Sequence, residues 1–244
     1  MRFYYSNLVA LMPGVTSSAD WGNVIARDLL PESEDVPVCP VPVMVRRRMT
    51  ALGRLALTAL AQVSPKDEES VVYASSWGEV GRTAQLVGDV VADPQAMSPA
   101  GFSSSVHNAI AGIASIWQKN HAAGPAVTAG TLTTEAALVQ CAAMLAAGAP
   151  SVILLRYDEP LPELWQTRGH RYETPMRMFA WAMRLTADSN GAEGSFALEV
   201  LKQAPPDIDE TKKQSCLGDL AFLLGNVSSR VHTDHLSRGY RWVR

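Results

Sequence analysis

The sequence predicts a layered α/β domain built on a parallel sheet. Two observations carry this. Residues 71 to 75, 126 to 129 and 151 to 156 are near-continuous apolar runs, as expected of strands whose two faces are both covered. Helix-period segments separate these runs, giving a β-helix-β-helix-β order with right-handed crossovers.

Along the chain, "RFYYSNLVAL" (2 to 11) reads as a strand ended by Pro13-Gly14. Residues 31 to 42 hold four prolines and read as extended loop. From Met44 to Gln62 the apolar residues Met49, Leu52, Leu55, Ala56, Ala59 and Leu60 recur at helical spacing. "SVVYASSW" is a strand running into a helix that starts near Glu79 and ends by Ala92. In "GFSSSVHNAIAGIASIWQKNHAAG", Ser103 or Ser104 is a candidate cap. Val106, Ile110, Ile113 and Trp117 form one stripe, and Ala109, Gly112 and Ser115 make the neighbouring face small. Such a face lets another backbone approach closely.

"PAVTA" is the next strand, 132 to 147 a helix, and "SVILLRYDE" another strand. "MFAWAMRLTAD" (178 to 188) and "SFALEVLK" (195 to 202) read as an antiparallel hairpin joined by "SNGAEG". Asp207, Asp209 and Glu210 fall in a polar loop, 215 to 225 is a compact apolar helix, and "SRGYRWVR" is an added edge strand. With no repeat and no clean linker, one domain spanning 1 to 244 is the simplest reading.

The 244 residues suffice to bury roughly 70 to 75% of the unfolded surface. A hydrophobic fraction of 47% with 18% charged residues indicates a large core, and leaves room for an apolar partner interface. The net charge of −3 gives no field suited to nucleic acid. The run Arg46-Arg47-Arg48 fits a solvated helix start, or a contact with a phosphate or an acidic partner. Three scattered cysteines, Cys39, Cys141 and Cys216, point to a reducing compartment. No segment reads as a signal peptide or membrane span, so a cytoplasmic protein is expected.

The chemistry is sparse. "VTAGTLTTE" has the strand-turn-helix form that often holds a nucleophile, yet its apex is Gly130, which has no reacting atom. Thr131 and Thr133 suit helix capping, and Glu135 sits where its charge favours the helix N-terminus. Cys141 reads as a small core residue. The pair His107-Asn108 is either satisfied by backbone at a helix seam or placed at a subunit or cavity boundary. His232, Asp234 and His235 in "VHTDH" could reach one metal but lack further ligands, and solvated tail histidines are the simpler reading. "WGEVGRT" lacks the lysine-serine pair and glycine spacing of nucleotide loops. No cofactor or metal is expected.

Several segments together resemble the N-terminal half of a β-ketoacyl synthase, of the thiolase fold. They are "VMVRRRMTALGRLAL", "VVYASSWGEVGRTAQLV", "MSPAGFSSSVHNAIAGIASI" and "PAVTAGTLTTEAALVQCAAMLAAGAPSVILLRYDEPLP". The third is similar to a segment leading into the dimer-forming helix, as in small ketosynthase-like proteins of aryl polyene pigment clusters. The resemblance covers 1 to about 160 well, with 161 to 244 as a hairpin, helix and tail completing a truncated fold. It puts Thr128 and Ala129 before the family's catalytic cysteine position and Gly130 in that position. It implies a catalytically silent chain-length factor, not itself an enzyme. Its partner would be a full-length β-ketoacyl synthase in a heterodimer or higher heteromer of a type II polyketide system, bounding the acyl tunnel and meeting acyl carrier protein through the complex. The interface it implies includes Ser104, Val106, His107, Asn108, Ala109, Gly112, Ile113 and Thr128. Two other readings stay open: a stand-alone acyltransferase using Ser104 or Thr131, and a purely structural scaffold.

Overall fold

The computed structural model describes residues 1–15, 17–27, 31–93, 95, 97–166, 177–202, 215–233 and 239–244. Their strands form one mixed sheet. β1 (Arg2–Leu11), β2 (Ser70–Ala74), β3 (Ala126–Val127), β4 (Val152–Asp158), β5 (Phe179–Thr186), β6 (Gly194–Leu201), β7 (Ser229–Thr233) and β8 (Gly239–Val243) lie in the order β3-β2-β4-β5-β1-β6-β8-β7. β3, β2 and β4 are mutually parallel, in accord with the expected crossovers, and the remaining pairings are antiparallel.

The period-2 geometry of strands sends alternate side chains to opposite faces. Val72, Ala74, Val152, Leu154, Trp181 and Met183 enter one apolar layer, while Val71, Tyr73, Ile153, Leu155, Ala180 and Ala182 enter the other. The helices are α1 (Ser18–Arg27), α2 (Val43–Arg46), α3 (Ala51–Val63), α4 (Val80–Ala92), α5 (Pro99–Ser103), α6 (Ala109–Gln118), α7 (Thr133–Ala146), α8 (Glu163–Gln166) and α9 (Ser215–Leu223). α7 packs on the first layer and α3 and α6 on the second.

Four expectations are corrected. The helix expected over 44 to 62 is split: α2 ends at Arg46, and Thr50 opens α3 by accepting from the Gly53 amide at 3.0 Å. Ser103 and Ser104 do not cap the long helix. Their hydroxyls donate to Pro99 and Gly101 carbonyls at 2.9 Å, closing the separate α5, and α6 begins only at Ala109. β5 and β6 are strands but no hairpin: β1 lies between them and pairs with both. The C-terminal strand β8 is flanked by β6 and β7, so β7 forms that edge of the sheet. The absent hairpin has a physical reason. The ten-residue β1 offers two long hydrogen-bonding edges, which a turn of "SNGAEG" type cannot outcompete once both neighbours are in register.

The expected loop at Asp207, Asp209 and Glu210 lies outside the described residues. Among the described residues no helix is long and apolar enough to cross a membrane.

Candidate functional site: the elbow and its flanking helix face

Gly130 stands at the apex between β3 and α7 with φ +59°, a left-handed conformation that side chains rarely adopt. It is exposed, and a Cβ built there would meet nothing within 4 Å. The Thr133 hydroxyl closes the turn, donating to the Gly130 carbonyl at 2.7 Å and accepting from the Ala129 amide at 3.0 Å. The space above the apex is therefore open, and its backbone geometry is held from below.

A polar frame at the ends of β2 and β4 does the holding. The Ser75 hydroxyl donates to Asp158 Oδ1 at 2.6 Å, and the Ser76 amide donates to both Asp158 oxygens at 3.0 and 3.1 Å. Arg156 pairs with Asp158 at 2.6 Å and donates to Ser76 Oγ at 3.0 Å and Thr134 Oγ1 at 3.2 Å. Ser76 Oγ in turn donates to the Gly130 carbonyl at 3.3 Å.

The frame continues into the C-terminal third. Thr134 donates to Asp219 Oδ2 at 3.0 Å, and Asp219 pairs with Arg230 at 2.9 Å. Arg230 Nη2 lies 3.0 Å from His232 Nε2, and His232 Nδ1 lies 2.9 Å from Glu135 Oε1. A guanidinium only donates, so Nε2 accepts and the imidazole proton on Nδ1 is given to Glu135. Trp242 Nε1 donates to the same oxygen at 2.9 Å. Burial opposes ionisation of Glu135, but the His232 contact and the Arg230 charge outweigh it and hold its carboxyl below the usual range. β7 thus comes against the 130–132 turn, wrapping the far end of the sheet over the first turn of α7.

The other side of the elbow is different. Asn108, Gly112, Ser115 and Ile116 are exposed on or beside α6, Ile116 by 79%. A half-open groove of about 240 Å³ runs between α6 and the β2 edge, lined by Tyr73, Asn108, Ala111, Gly112, Ser115 and Gly124 among others. A Cβ at Gly112 would meet nothing within 4 Å. β3 pairs only with β2, so its outer edge is free of sheet partners among the described residues.

The sequence-predicted residues divide accordingly. Asn108, Gly112 and Thr128 are exposed, the first two lining the groove, while Ala109 and Ile113 are half-buried against α3's side. Val106 precedes α6 instead of lying on its stripe, and is 36% exposed. His107 takes the backbone reading: its Nε2 lies 2.9 Å from the Ser75 carbonyl, and its ring packs on Gly78. Ser104 is half-buried with its hydroxyl committed to the Gly101 carbonyl at 2.9 Å. Cys141 is fully buried, and desolvation pushes its thiol far above the usual range. Arg46 reaches back to the Cys39 carbonyl at 2.9 Å, whereas Arg47 and Arg48 are exposed. His232 contradicts the solvated reading: it is buried in the ion-pair network, while Asp234 and His235 lie outside the described residues.

With this geometry in place, the family model of the β-ketoacyl synthase N-terminal domain matches residues 20–243. The chain belongs to the β-ketoacyl synthase N-terminal domain family. No curated protein matches the sequence. Among solved structures, the ketosynthase ApeO in complex with its chain length factor ApeC from Xenorhabdus doucetiae contains a similar chain. The match has TM-score 0.78 and 22% identity, covering 100% of both chains. The ishigamide ketosynthase/chain length factor is similar with TM-score 0.64 at 15% identity, covering 93% of this chain and 74% of that one. A β-ketoacyl synthase from Burkholderia phymatum STM815 gives 0.60 at 13% identity, with 93% and 71% coverage. At these identities the likeness is one of fold, and the architecture is that of the N-terminal half of a β-ketoacyl synthase.

Within that family fold, the sequence reading missed Arg156, Asp158, Asp219 and Arg230, and assigned Glu135 only its place in the first turn. The signal available was a charged residue inside an apolar strand: Arg156 and Asp158 interrupt "VILLRYD", and such groups are buried only when paired.

Proposed function

We propose that this chain is a catalytically silent chain-length factor that pairs with a full-length β-ketoacyl synthase in a type II polyketide system. The observation that carries the proposal is the elbow: its turn is fixed by the Ser76, Thr133, Arg156 and Asp158 frame, while its apex is a glycine with open space above it. A nucleophilic mechanism needs a reacting atom with a base in reach, and neither stands at Gly130. A preserved elbow without a nucleophile makes sense as a shaped wall for chemistry performed by a partner.

The partner face in this reading is α6 with the β3 edge. Its exposed Gly112, Ser115 and Ile116, the groove beside them and the unpaired strand edge are features of an interface. The partner holds the growing acyl chain and condenses it with units on acyl carrier protein, and this subunit bounds the tunnel. An aryl-primed conjugated polyene is the product class, on the sequence resemblance. The complex is cytoplasmic, and the subunit acts without cofactor or metal.

Co-expression with a ketosynthase encoded beside it, followed by size-exclusion chromatography with light scattering, tests the pairing. A stable heteromer is expected. Two separate stable monomers would overturn it. Intact-mass analysis of the isolated chain after incubation with acyl-loaded carrier protein tests silence: no covalent adduct is expected, and a stable adduct would favour an acyltransferase.

A further inference from the structure

Glu79 ends the loop after β2 and stands at the N-cap of α4, where a carboxylate would ordinarily serve the helix amides. Instead it makes no side-chain cap and is only 4% exposed. It points toward α3, where Gly53 makes room for it: a Cβ on Gly53 would lie 3.1 Å from Glu79 Oε1. Together with Met49, Thr50, Gly53 and Ser104 it lines a small, partly open pocket of about 10 Å³, whose other wall is Ala109, Ile110 and Ile113 of α6. That is room for no more than a single water. Its Oε2 is buried without a hydrogen-bond partner.

We propose that Glu79 is a proton-operated strut: in its neutral form it packs α6 onto α3, and its ionisation loosens α6 and weakens whatever binds there. This rests on the reading of α6 as the ketosynthase-facing helix, and adds a regulation of that face.

A carboxylate in this place would have one oxygen facing apolar side chains, which is costly unless it is paired. The groups around it do not supply a pair. Thr50 at the N-cap of α3 gives one hydrogen bond, Glu159 after β4 repels it, and Arg82 on α4 attracts it. Tyr157 of β4 lies near enough to feel its charge, and its own hydroxyl is buried without a partner. Arg48 lines the same pocket from the α2–α3 link. His107, just before α6, is committed to the Ser75 carbonyl. α6 itself contributes no titratable side chain. Burial is the largest influence, with Glu159 adding to it and Thr50 and Arg82 opposing, and the carboxyl is pushed up to about 7. The sign follows directly. The folded state holds a proton that the unfolded chain has released, so the contribution of Glu79 to stability is fully present below the ordinary carboxylate value and is lost as pH rises toward and through about 7.

The test is thermal unfolding of the full chain and its Glu79→Gln variant between pH 5 and 8.5. The wild type should lose roughly 5 °C or more relative to the variant across that range; parallel profiles would overturn the strut. If the variant does not fold, carbon-13 carboxyl titration of the wild type decides. A glutamate titrating near neutrality, with α6 amide exchange accelerating in step, supports the proposal, and ordinary titration of every glutamate overturns it. Ketosynthase affinity is then compared at pH 6 and pH 8. About tenfold weakening in the wild type but not in Glu79→Gln is expected, and equal change in both overturns the coupling. Absence of binding at every pH removes the partner reading and the coupling with it, while the unfolding profiles still decide the strut.

Discussion

His232 Nδ1 lies 2.9 Å from Oε1 of Glu135 across 97 residues of sequence, and both side chains are buried. This contact fastens the C-terminal strands to the first turn of the helix that begins at the elbow. Removing the imidazole leaves a buried carboxylate served by Trp242 Nε1 of β8 and by its own backbone amide. His232→Ala should therefore destabilise the chain by about 3–5 kcal/mol in urea unfolding. Trp242→Phe, which removes a single N–H and keeps the ring packing, should cost about 1–3 kcal/mol. Equal effects of the two variants would show that packing, and not the imidazole hydrogen bond, decides.

Glu69 and Arg184 form a second buried pair at 2.7 and 3.0 Å, and Ser151 and the Lys66 amide complete the carboxylate at 2.6 and 2.9 Å. Burial opposes the Glu69 charge, but these hydrogen bonds and the Arg184 charge hold its carboxyl below the ordinary value of 4.5. A depressed folded-state value stabilises the chain above the unfolded value, and that stability is lost as pH falls through the folded one. Unfolding free energy should drop on acidification below about pH 4.5. Glu69→Gln should flatten this acid limb and lower stability at pH 7 by about 3–5 kcal/mol, since Arg184 is left buried and unpaired.

The elbow itself supports a gain-of-atom experiment. A side chain at Gly130 meets no steric obstacle but must adopt a positive φ, at about 1–2 kcal/mol. Gly130→Cys should fold with a slightly lowered Tm, and its exposed thiol should be alkylated rapidly by iodoacetamide. Condensation should remain absent, because a thiol without a base is only one part of the machinery. Formation of a condensation product by this variant alone would overturn the silent reading.

Much of this was legible in the sequence, and the limits have a physical cause. β2, β4 and α7 were readable because full burial leaves uninterrupted apolar runs, and local periodicity is enough to place them. The insertion of β1 between β5 and β6 was not, because pairing partners about 170 to 195 residues apart leave no local trace. At the proposed site, Gly130 and the exposed Asn108 and Gly112 stand out in the sequence by motif and residue size. Asp219, Arg230 and His232 could not, since a charge looks solvated in sequence until its buried partner is known.

Gly112 separates assembly from stability. Its position faces the open groove with nothing within 4 Å of a Cβ, so Gly112→Leu should leave unfolding free energy unchanged or raised by up to about 1 kcal/mol, as a better helix former. The same side chain fills the groove and should weaken ketosynthase binding by about tenfold or more, through overpacking of about 1–3 kcal/mol. Ala109→Phe, in contrast, is half-buried and should damage both properties. Unchanged affinity in Gly112→Leu, measured by titration calorimetry, would remove this face from the interface.

Gly218 reverses the ordinary rule for glycine in a helix. An alanine within α9 should normally gain about 0.5–1 kcal/mol, yet a Cβ here would overlap the Arg230 guanidinium at Nη1. The guanidinium occupies the space that any side chain needs. It cannot withdraw freely, because it is paired with Asp219 at 2.9 Å and contacts His232 at 3.0 Å. Gly218→Ala must therefore displace Arg230, which leaves Asp219 and His232 without that partner and releases the strands from the elbow helix. The expected outcome is a loss of about 3 kcal/mol or more in urea unfolding, with faster amide exchange in the first turn of α7. Pairing the substitution with Arg230→Met separates the causes. If the clash is responsible, alanine should cost far less in that background, because the flexible thioether can yield where the paired guanidinium cannot. A full additive loss would place the requirement for glycine in the helix backbone instead.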